Sequence, residues 1–458
     1  MPGLCRVHAV AVAVLVAPAC DLESSLGDDL ELRAGLQLAP NPSAVVSVGM
    51  GASTTCVVTL FGEVKCWGRN DYGQLGRGDL VDVGDDETPA EVAFVSLGGE
   101  AVQVLTNGAQ SFALLEDGTV RAWGINSGGE LGLQHVESIG DDEVPGAADV
   151  VTDVELGGPA TRLAVGGDFA CALMSNGTAS DGTTSSGMVR CWGANDFGQL
   201  GRRSTETVGD DEAPAVGASI FLGAPVVDVV AGRRHACALV EGGSVRCWGR
   251  GAQGQLGYGG THDVGDDEFP VVAGTVALGG AAEQIVAGGW HTCARLVGGD
   301  VRCWGRGANG QLGYGSTKSV GDDERPVAWA PVSLGGPAVS LAAGAEHTCA
   351  VLHGGAVRCW GGGERGQLGY GNTHAVGDDE TPAAVAAVHL AGAHAIAVFA
   401  GPLARSTCAL LDDESLRCWG ANDFGQLGYG HVFELGDDIA ERPGDLPDIL
   451  ILSRDDDA

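Results

Sequence analysis

Seven Trp-Gly pairs, at Trp67, Trp123, Trp192, Trp248, Trp304, Trp360 and Trp419, recur with spacings of 56, 69, 56, 56, 56 and 59 residues. A word returning at a near-fixed period restricts a chain to stacked or radially repeated units, none able to bury its hydrophobic face alone. The long spacing holds thirteen extra residues, ten within "SNGTASDGTTSSG" and three around "GAADVVTDV". Insertions that leave the frame intact belong at surface turns.

Every unit runs in one order, exemplified by "AEQIVAGG", "HTCARLV", a Gly turn, "VRCWG", a glycine-rich loop, "VGDDE", a Pro and "VVAGTVAL". The apolar segments are four to eight residues long, rich in β-branched side chains and bounded by Gly, Pro and Asp, which reads as strands. With 77 Gly and 17 Pro the chain suits many short strands joined by tight turns. Four strands in each of seven units predict an all-β, seven-bladed β-propeller. The first unit begins at "SAVVSVGMG" without a preceding Pro-strand, whereas the last ends in "DLPDILILS". The expectation is a ring closed by strands from the chain ends. Ile449–Ser453 would complete the blade containing Trp67, with Ala34–Pro40 as a competing candidate.

At the N-terminus, Arg6 precedes the apolar run 7–19, "VHAVAVAVLVAPA", and then Cys20. This reads as a signal peptide over 1–20, too short for a spanning helix. Cys20 resembles the lipid-acceptor cysteine of a bacterial lipoprotein, although Ala17 stands where that motif prefers Leu; ordinary cleavage after "APA" is the other reading. An acidic tether over 21–44, a propeller over 45–454 and an acidic tail over 455–458 complete the expected organisation. The chain is expected at the cell envelope or secreted, meeting a membrane only through an N-terminal lipid.

Of fourteen cysteines, twelve fall into six sets: Cys56 with Cys66, Cys171 with Cys191, Cys237 with Cys247, Cys293 with Cys303, Cys349 with Cys359 and Cys408 with Cys418. Five sets are ten residues apart, and the sixth is longer by its ten-residue insertion. The second unit has Phe112 and Ala122 at the two positions, so both cysteines are missing together. Joint loss implies bonding, and a hairpin about the Gly turn sets the partners opposite each other. Buried free thiols are the alternative; zinc fits poorly, because the gaps do not resemble Cys-x-x-Cys knuckles. Disulfides also agree with export.

The formal net charge is −35, from 60 acidic and 25 basic residues, and no basic stripe offsets it. That argues against nucleic acid as a partner. Asp pairs recur once per unit, at Asp85/Asp86, Asp141/Asp142, Asp210/Asp211, Asp266/Asp267, Asp322/Asp323, Asp378/Asp379 and Asp437/Asp438. A base two residues before each Trp-Gly pair (Lys65, Arg121, Arg190, Arg246, Arg302, Arg358, Arg417) lies twenty residues before the first Asp in all seven. So rigid an interval predicts internal geometry, with one Asp capping a turn and another pairing with the base. A ring of carboxylates binding calcium is the sharper alternative, without the ligand spacing of an EF-hand. No other cofactor is expected.

The words "G-x-x-H-x-C-A-L", "V-R-C-W-G" and "G-Q-L-G-Y-G", repeated over residues 45–453, resemble the regulator of chromosome condensation repeat family. The resemblance implies a seven-bladed propeller. This acidic chain, expected to be exported, departs from the founding nuclear member, so nucleotide exchange is not carried over. Secreted bacterial members that bind a target protein through propeller loops offer an analogy of mode.

One position inside the fixed loop varies freely, the residue two before the Gln-Leu or Glu-Leu of each loop: Tyr72, Gly128, Phe197, Gln253, Asn309, Arg365 and Phe424. Varied chemistry on a constant frame points to an exposed binding rim, with Phe424 and Tyr72 on adjacent blades and Phe197 farther round. His235, His291 and His347 precede a blade cysteine by two, where other units have Thr54, Gln110, Phe169 and Ser406. They could gather on a metal, but satisfying local hydrogen bonds is the commoner use. No Ser-His-Asp set or phosphate loop stands out. The expected function is non-enzymatic recognition of a protein or other surface macromolecule through the loops. The alternatives are a propeller lyase or hydrolase and a purely structural surface protein. An enzyme would need polar residues that break the repeat and converge on the axis.

Overall fold

The computed structural model describes residues 44–452 apart from 149, 151, 176, 179–183, 186 and 217–218. The expected signal peptide with Cys20, nearly all of the expected tether, the candidate strand Ala34–Pro40 and the acidic tail therefore lie outside the described residues. Seven antiparallel sheets of three strands follow one another, each continuous in sequence. The first comprises Val45–Met50, Thr54–Thr59 and Val64–Gly68, and the last Ala395–Phe399, Ser406–Leu411 and Leu416–Gly420. A two-stranded hairpin, Gly177–Thr178 with Thr184–Ser185, occupies the insertion of the third unit.

In each sheet the first strand is innermost. The inner strands together line a channel through Val48, Leu105, Val230, Val286, Leu341 and Phe399. Each lies beside the inner strands of neighbouring blades, and that of the seventh blade lies beside that of the first. The middle strand is buried along its whole length in every blade. Burial on both faces is what a sheet packed between two others requires.

The fourth strand is a correction. In place of a ladder, the segment after the Pro turn makes one outer-edge backbone bond, as from Val276 N–H to Val245 O (2.9 Å) and from Val332 N–H to Val301 O (2.8 Å), or two in the second blade, from Val154 N–H to Val120 O (2.8 Å) and from Ala122 N–H to Thr152 O (3.0 Å). The reason is the repeated base. Arg302 donates to Pro326 O (3.1 Å) and to Trp329 O, and Arg358 to Pro382 O (2.6 Å) and Val385 O. A guanidinium wedged there bonds carbonyls of the Pro turn and holds the segment off the edge.

The closing strand is a second correction. Ile449 N–H bonds Leu416 O (3.0 Å) in the seventh blade itself, so the expected Ile449–Ser453 strand, of which Ser453 lies outside the described residues, does not complete the blade of Trp67. The contact onward is a side chain: Lys65 Nζ of the first blade donates to Ile451 O (2.8 Å). The physical cause is register, since each unit already carries its Pro segment last and no blade needs a borrowed strand.

All six cysteine sets are disulfides. Cys56 bonds to Cys66, Cys171 to Cys191, Cys237 to Cys247, Cys293 to Cys303, Cys349 to Cys359 and Cys408 to Cys418. In each, the two residues face one another across the middle and outer strands with Cα–Cα distances of 4.0–4.1 Å, and none is the buried free thiol of the alternative reading. In the second blade Phe112 opposes Ala122 and turns its ring edge to Trp192 at 6.1 Å, filling with an aromatic the space a disulfide takes elsewhere.

Candidate functional site

The loops that leave the outer strands share a face with those joining inner to middle strands, and a glutamine holds their frame. Gln74, Gln199, Gln255, Gln311, Gln367 and Gln426 each accept, through Oε1, the backbone N–H of the variable residue two before (2.8–2.9 Å). Glu130 does the same for Gly128 in the second blade (2.8 Å). The carbonyl of Gln255 then accepts the indole N–H of Trp304 on the next blade (2.9 Å), and Gln311 that of Trp360 (3.0 Å). Gln426 of the seventh blade accepts Trp67 of the first in the same way (3.0 Å). Loop shape and blade junction thus meet in one buried residue, through its side-chain amide and its main-chain carbonyl respectively.

The frame uses only the main chain of the variable residue, which frees its side chain. Tyr72 and Gln253 are exposed, and Phe197, Asn309, Arg365 and Phe424 half-buried. Arg69 lies over both Phe424 (4.9 Å) and Tyr72 (5.8 Å), joining rim residues of the seventh and first blades. Arg365 pairs with Asp423 (2.6 Å) and with Glu434. Phe197 belongs to another group, separated from Tyr72 by the blade carrying Gly128. Arg234 and Arg250 stand over its ring at 5.0 and 4.7 Å, and Arg250 and Arg233 over Trp290 at 5.3 and 5.8 Å. Asn309 makes no ring contact of this kind, and Gln253 lines a depression of about 320 Å³ with Arg250, Trp290 and Arg306.

These arginines and Trp290 were overlooked in the rim reading, although a signal existed. The residue before each middle strand is Ser53, Ala109, Asp168, Arg234, Trp290, Glu346 or Arg405. That position varies as freely as the one already singled out.

Polar side chains also meet at the axis. Ser47, Gln103, Arg162, Asp228, Gln284, Ser340 and Ala397 occupy one level of the inner strands, so repeat-breaking polar side chains do converge there. Most of them stitch neighbouring blades. Gln103 donates to Leu163 O (3.3 Å) and accepts from Leu163 N–H (2.9 Å), and Gln284 repeats this with Leu341 (3.1 and 3.0 Å). An arginine cannot accept, so beyond Arg162 it is Asp228 that takes Val229 N–H (2.9 Å) while pairing with Arg162 (3.3 Å). Burial pushes the Asp228 carboxyl above its ordinary range, partly offset by Arg162.

The three histidines are kept apart by their bonding. His235, His291 and His347 are fully buried, and each Nε2 meets the hydroxyl of Thr292, Thr348 or Thr407 on the next blade (2.8–2.9 Å). Each threonine donates onward to a Gln carbonyl (2.9–3.1 Å), so it accepts from the imidazole and fixes the proton on Nε2. Nδ1 has no partner. Burial depresses the three to about 3, 3 and 4. Gly232, Gly288 and Gly344 make room for the rings, since a Cβ there would stand 2.0–2.1 Å from the imidazole Cε1.

The acidic words contact the preceding blade through their backbone. Gly78 N–H donates to Gly140 O (3.1 Å), Gly259 N–H to Gly321 O (3.1 Å) and Gly371 N–H to Gly436 O (3.0 Å). Among the described residues no ion pair joins these aspartates to the repeated bases, which corrects the expected Asp–base pairing: Arg190, Arg246, Arg302, Arg358 and Arg417 bond carbonyls of the Pro turn, Arg121 and Arg417 pair with Asp153 and Asp448 further along, and Lys65 donates to Ile451 O. The expected turn cap occurs in the seventh blade, where Asp438 accepts from Ala440 N–H (3.0 Å). Burial, followed by the adjacent aspartate, raises Glu143 to about 6 and Glu268 and Glu380 to about 7.

A series of seven like sheets around a lined axis, with variable side chains on fixed loops, defines a repeat β-propeller. The chain belongs to the regulator of chromosome condensation (RCC1) repeat family, whose models match residues 45–74, 160–199, 226–255, 282–311, 338–367 and 396–426, and 62–114, 186–239, 242–295 and 298–351. It is 30% identical over 399 residues to the ultraviolet-B receptor UVR8 of Arabidopsis thaliana, covering 85% of this chain and 80% of the receptor. It is 31% identical over 376 residues to the human E3 ubiquitin-protein ligase HERC2, covering 81% of this chain but 7% of that much longer protein. Human WBSCR16 shares the fold at a TM-score of 0.63 (20% identity; 80% and 90% covered), and yeast RCC1 (Prp20), solved with Kap60 bound, at 0.56 (23% identity; 78% and 78% covered).

Proposed function

We propose that the protein is a non-enzymatic scaffold, exported to the cell envelope or exterior, whose seven blades form a closed ring and whose loop face binds another protein. One observation carries this reading. The loop after the glycine-rich turn is polar in four consecutive blades, with Thr205 and Glu206, Thr261 and His262, Thr317 and Lys318, and Thr373 and His374. In the seventh, first and second blades the same loop holds Val432 and Phe433, Leu80 and Val81, and Val136, with Phe433 71%, Val81 62%, Leu80 53% and Val136 51% exposed. Exposed apolar side chains confined to one arc of a repeated face mark an interaction surface.

Yeast Prp20p, described with its binding to Gsp1p and histones, supports a protein-binding role. Export is supported by the six disulfides, which suit an oxidising compartment. Lipidation at Cys20 belongs to the same reading and is tested by the mass of the mature protein. The axial Arg162–Asp228 pair favours an enzyme in the channel, but Asp228 is already engaged by Arg162 and by Val229 N–H of its own strand, which leaves that reading second.

The test is affinity capture from extracts of the native host, followed by titration of the captured partner against purified protein. Serine at Leu80, Val81 and Phe433 together should weaken that partner at least tenfold. An unchanged affinity in the folded triple variant refutes the loop-face assignment.

A further inference from the structure

We propose that Arg233, Arg234 and Arg250, held over Phe197 and Trp290, form a carboxylate-binding site for an acidic segment of the partner protein. The proposal rests on the loop-face reading but uses residues of the third, fourth and fifth blades, away from the apolar arc.

The first ground is an imbalance of charge. This chain has 60 acidic residues for 25 basic ones, and most of its other described arginines, Arg325 and Arg405 apart, pair with carboxylates or bond backbone carbonyls. Arg69 meets Asp71, Arg77 meets Asp79, Arg121 meets Asp153, Arg365 meets Asp423 and Arg417 meets Asp448. The bases at Arg246, Arg302 and Arg358 bond Pro-turn carbonyls. Arg233, Arg234 and Arg250 pair with no carboxylate among the described residues. These three neighbouring cations, bordered by the exposed Asp168 and Asp196 but ion-paired to neither, form a small island of opposite sign on an acidic protein.

The second ground is geometry. Guanidinium carbons within 4.7–5.8 Å of the Phe197 and Trp290 ring centres place the cations against aromatic surface. Such contact occupies the face of the guanidinium and leaves its N–H edge for hydrogen bonding. That edge matches a carboxylate, whose two oxygens accept a parallel pair of donors. The depression between Arg250, Gln253, Trp290 and Arg306 has room for a side chain, at about 320 Å³. Arg306 is already matched by Glu346 at 3.2 Å, which bounds the island on that side. A long polyphosphate would overrun the island onto a chain of net charge −35, whereas a segment with a few carboxylates fits within it.

The experiment uses the full chain and fluorescein-labelled decaglutamate, with decaglutamine and a twelve-base-pair DNA duplex as comparisons, read by anisotropy at low salt. Decaglutamate should bind, decaglutamine should not, and added salt should weaken the complex. Arg234→Ala and Arg250→Ala should each weaken it about tenfold, as expected for a lost hydrogen bond between charged groups. Lys318→Ala, which removes a positive charge outside the site, should change it less than twofold. Each variant is first matched to the parent by thermal midpoint. No decaglutamate binding at millimolar concentration, binding that survives triple replacement of the arginines by Glu, or tighter binding of the duplex overturns the proposal. A parent dimer that this triple replacement splits also overturns it, by making the island a contact between copies. Partner capture insensitive to the Leu80, Val81 and Phe433 changes, with decaglutamate binding retained, would refute the apolar-arc reading while leaving this site standing.

Discussion

Replacing Thr348 by Val tests whether the His–Thr–Gln chain holds the blades together. The hydroxyl accepts from His291 Nε2 at 2.8 Å and donates to Gln311 O at 3.0 Å. Valine keeps the shape and removes both bonds. Gln311 O keeps Trp360 Nε1 at 3.0 Å, so losing the donor there costs about 1 kcal/mol. His291 fares worse, because its Nε2–H is orphaned in a fully buried ring whose Nδ1 already has no partner. A buried donor left unsatisfied adds about 1–3 kcal/mol. Thr55 supplies an internal comparison. It donates to Gln426 O at 2.8 Å, where Trp67 also donates, but the seventh blade has Ser406 in place of the histidine. Thr55→Val should therefore cost about 1 kcal/mol, and Thr348→Val about 2–4 kcal/mol. Equilibrium urea unfolding with disulfides intact gives the difference, provided the slopes agree. Equal losses for the two variants would refute the idea that the imidazole depends on the hydroxyl.

Three further outcomes are expected. Because burial holds the three histidines at about 3–4 when folded, against a normal value near 6.5, the unfolded chain binds more protons between these limits. Their contribution is thus complete above pH ~6.5 and falls as pH drops, by at most about 1.4 kcal/mol per pH unit for each histidine. His347→Gln should flatten the dependence of the urea midpoint on pH by about one proton, and an unchanged slope would count against its buried neutral state. Removing the Cys293–Cys303 bond by double alanine substitution should cost about 2–3 kcal/mol by loop-closure entropy, read from urea midpoints of oxidised protein; a loss under about 1 kcal/mol would contradict that account. Gly401→Ala should loosen the junction of seventh and first blades, because its Cβ would stand 1.6 Å from Met50 O. Limited proteolysis should then cut near this junction, and an unaltered digestion pattern would show that the contact yields easily.

Much of the architecture was legible because repetition amplifies weak signals. One short apolar segment is ambiguous, but seven in register with the same flanking Gly and Trp are not. Phe112 and Ala122 revealed the disulfide pairing through its one joint absence. The Pro segment misled because "VVAGTVAL" has strand composition, while only one of its N–H groups reaches the edge past Arg246. The fixed interval from base to aspartate was real but misassigned. A nearly as rigid interval runs from the base to the Pro, 24 residues in six units and 26 in the seventh, and spacing alone cannot say which member is bound. A repeat also has no marked beginning, so residues Ile449–Ser453 could be assigned to either end of the series of blades. The axial level of Gln103, Arg162 and Asp228 was hidden inside segments read as apolar. The Arg233–Trp290 group was hidden because its members are distant in sequence and meet only across blades.

The glutamine that grips each loop by a main-chain N–H separates two demands usually entangled in one residue. Side chains at positions 72, 197, 253, 309, 365 and 424 owe nothing to that grip, so they can be exchanged while the blade junctions persist. Such a molecule can acquire a new specificity without first being stabilised, and its loop face is accordingly suited to randomised selection. Its seven near-equivalent stations allow graded combinations, so affinity for a target can be assembled station by station rather than found in a single step.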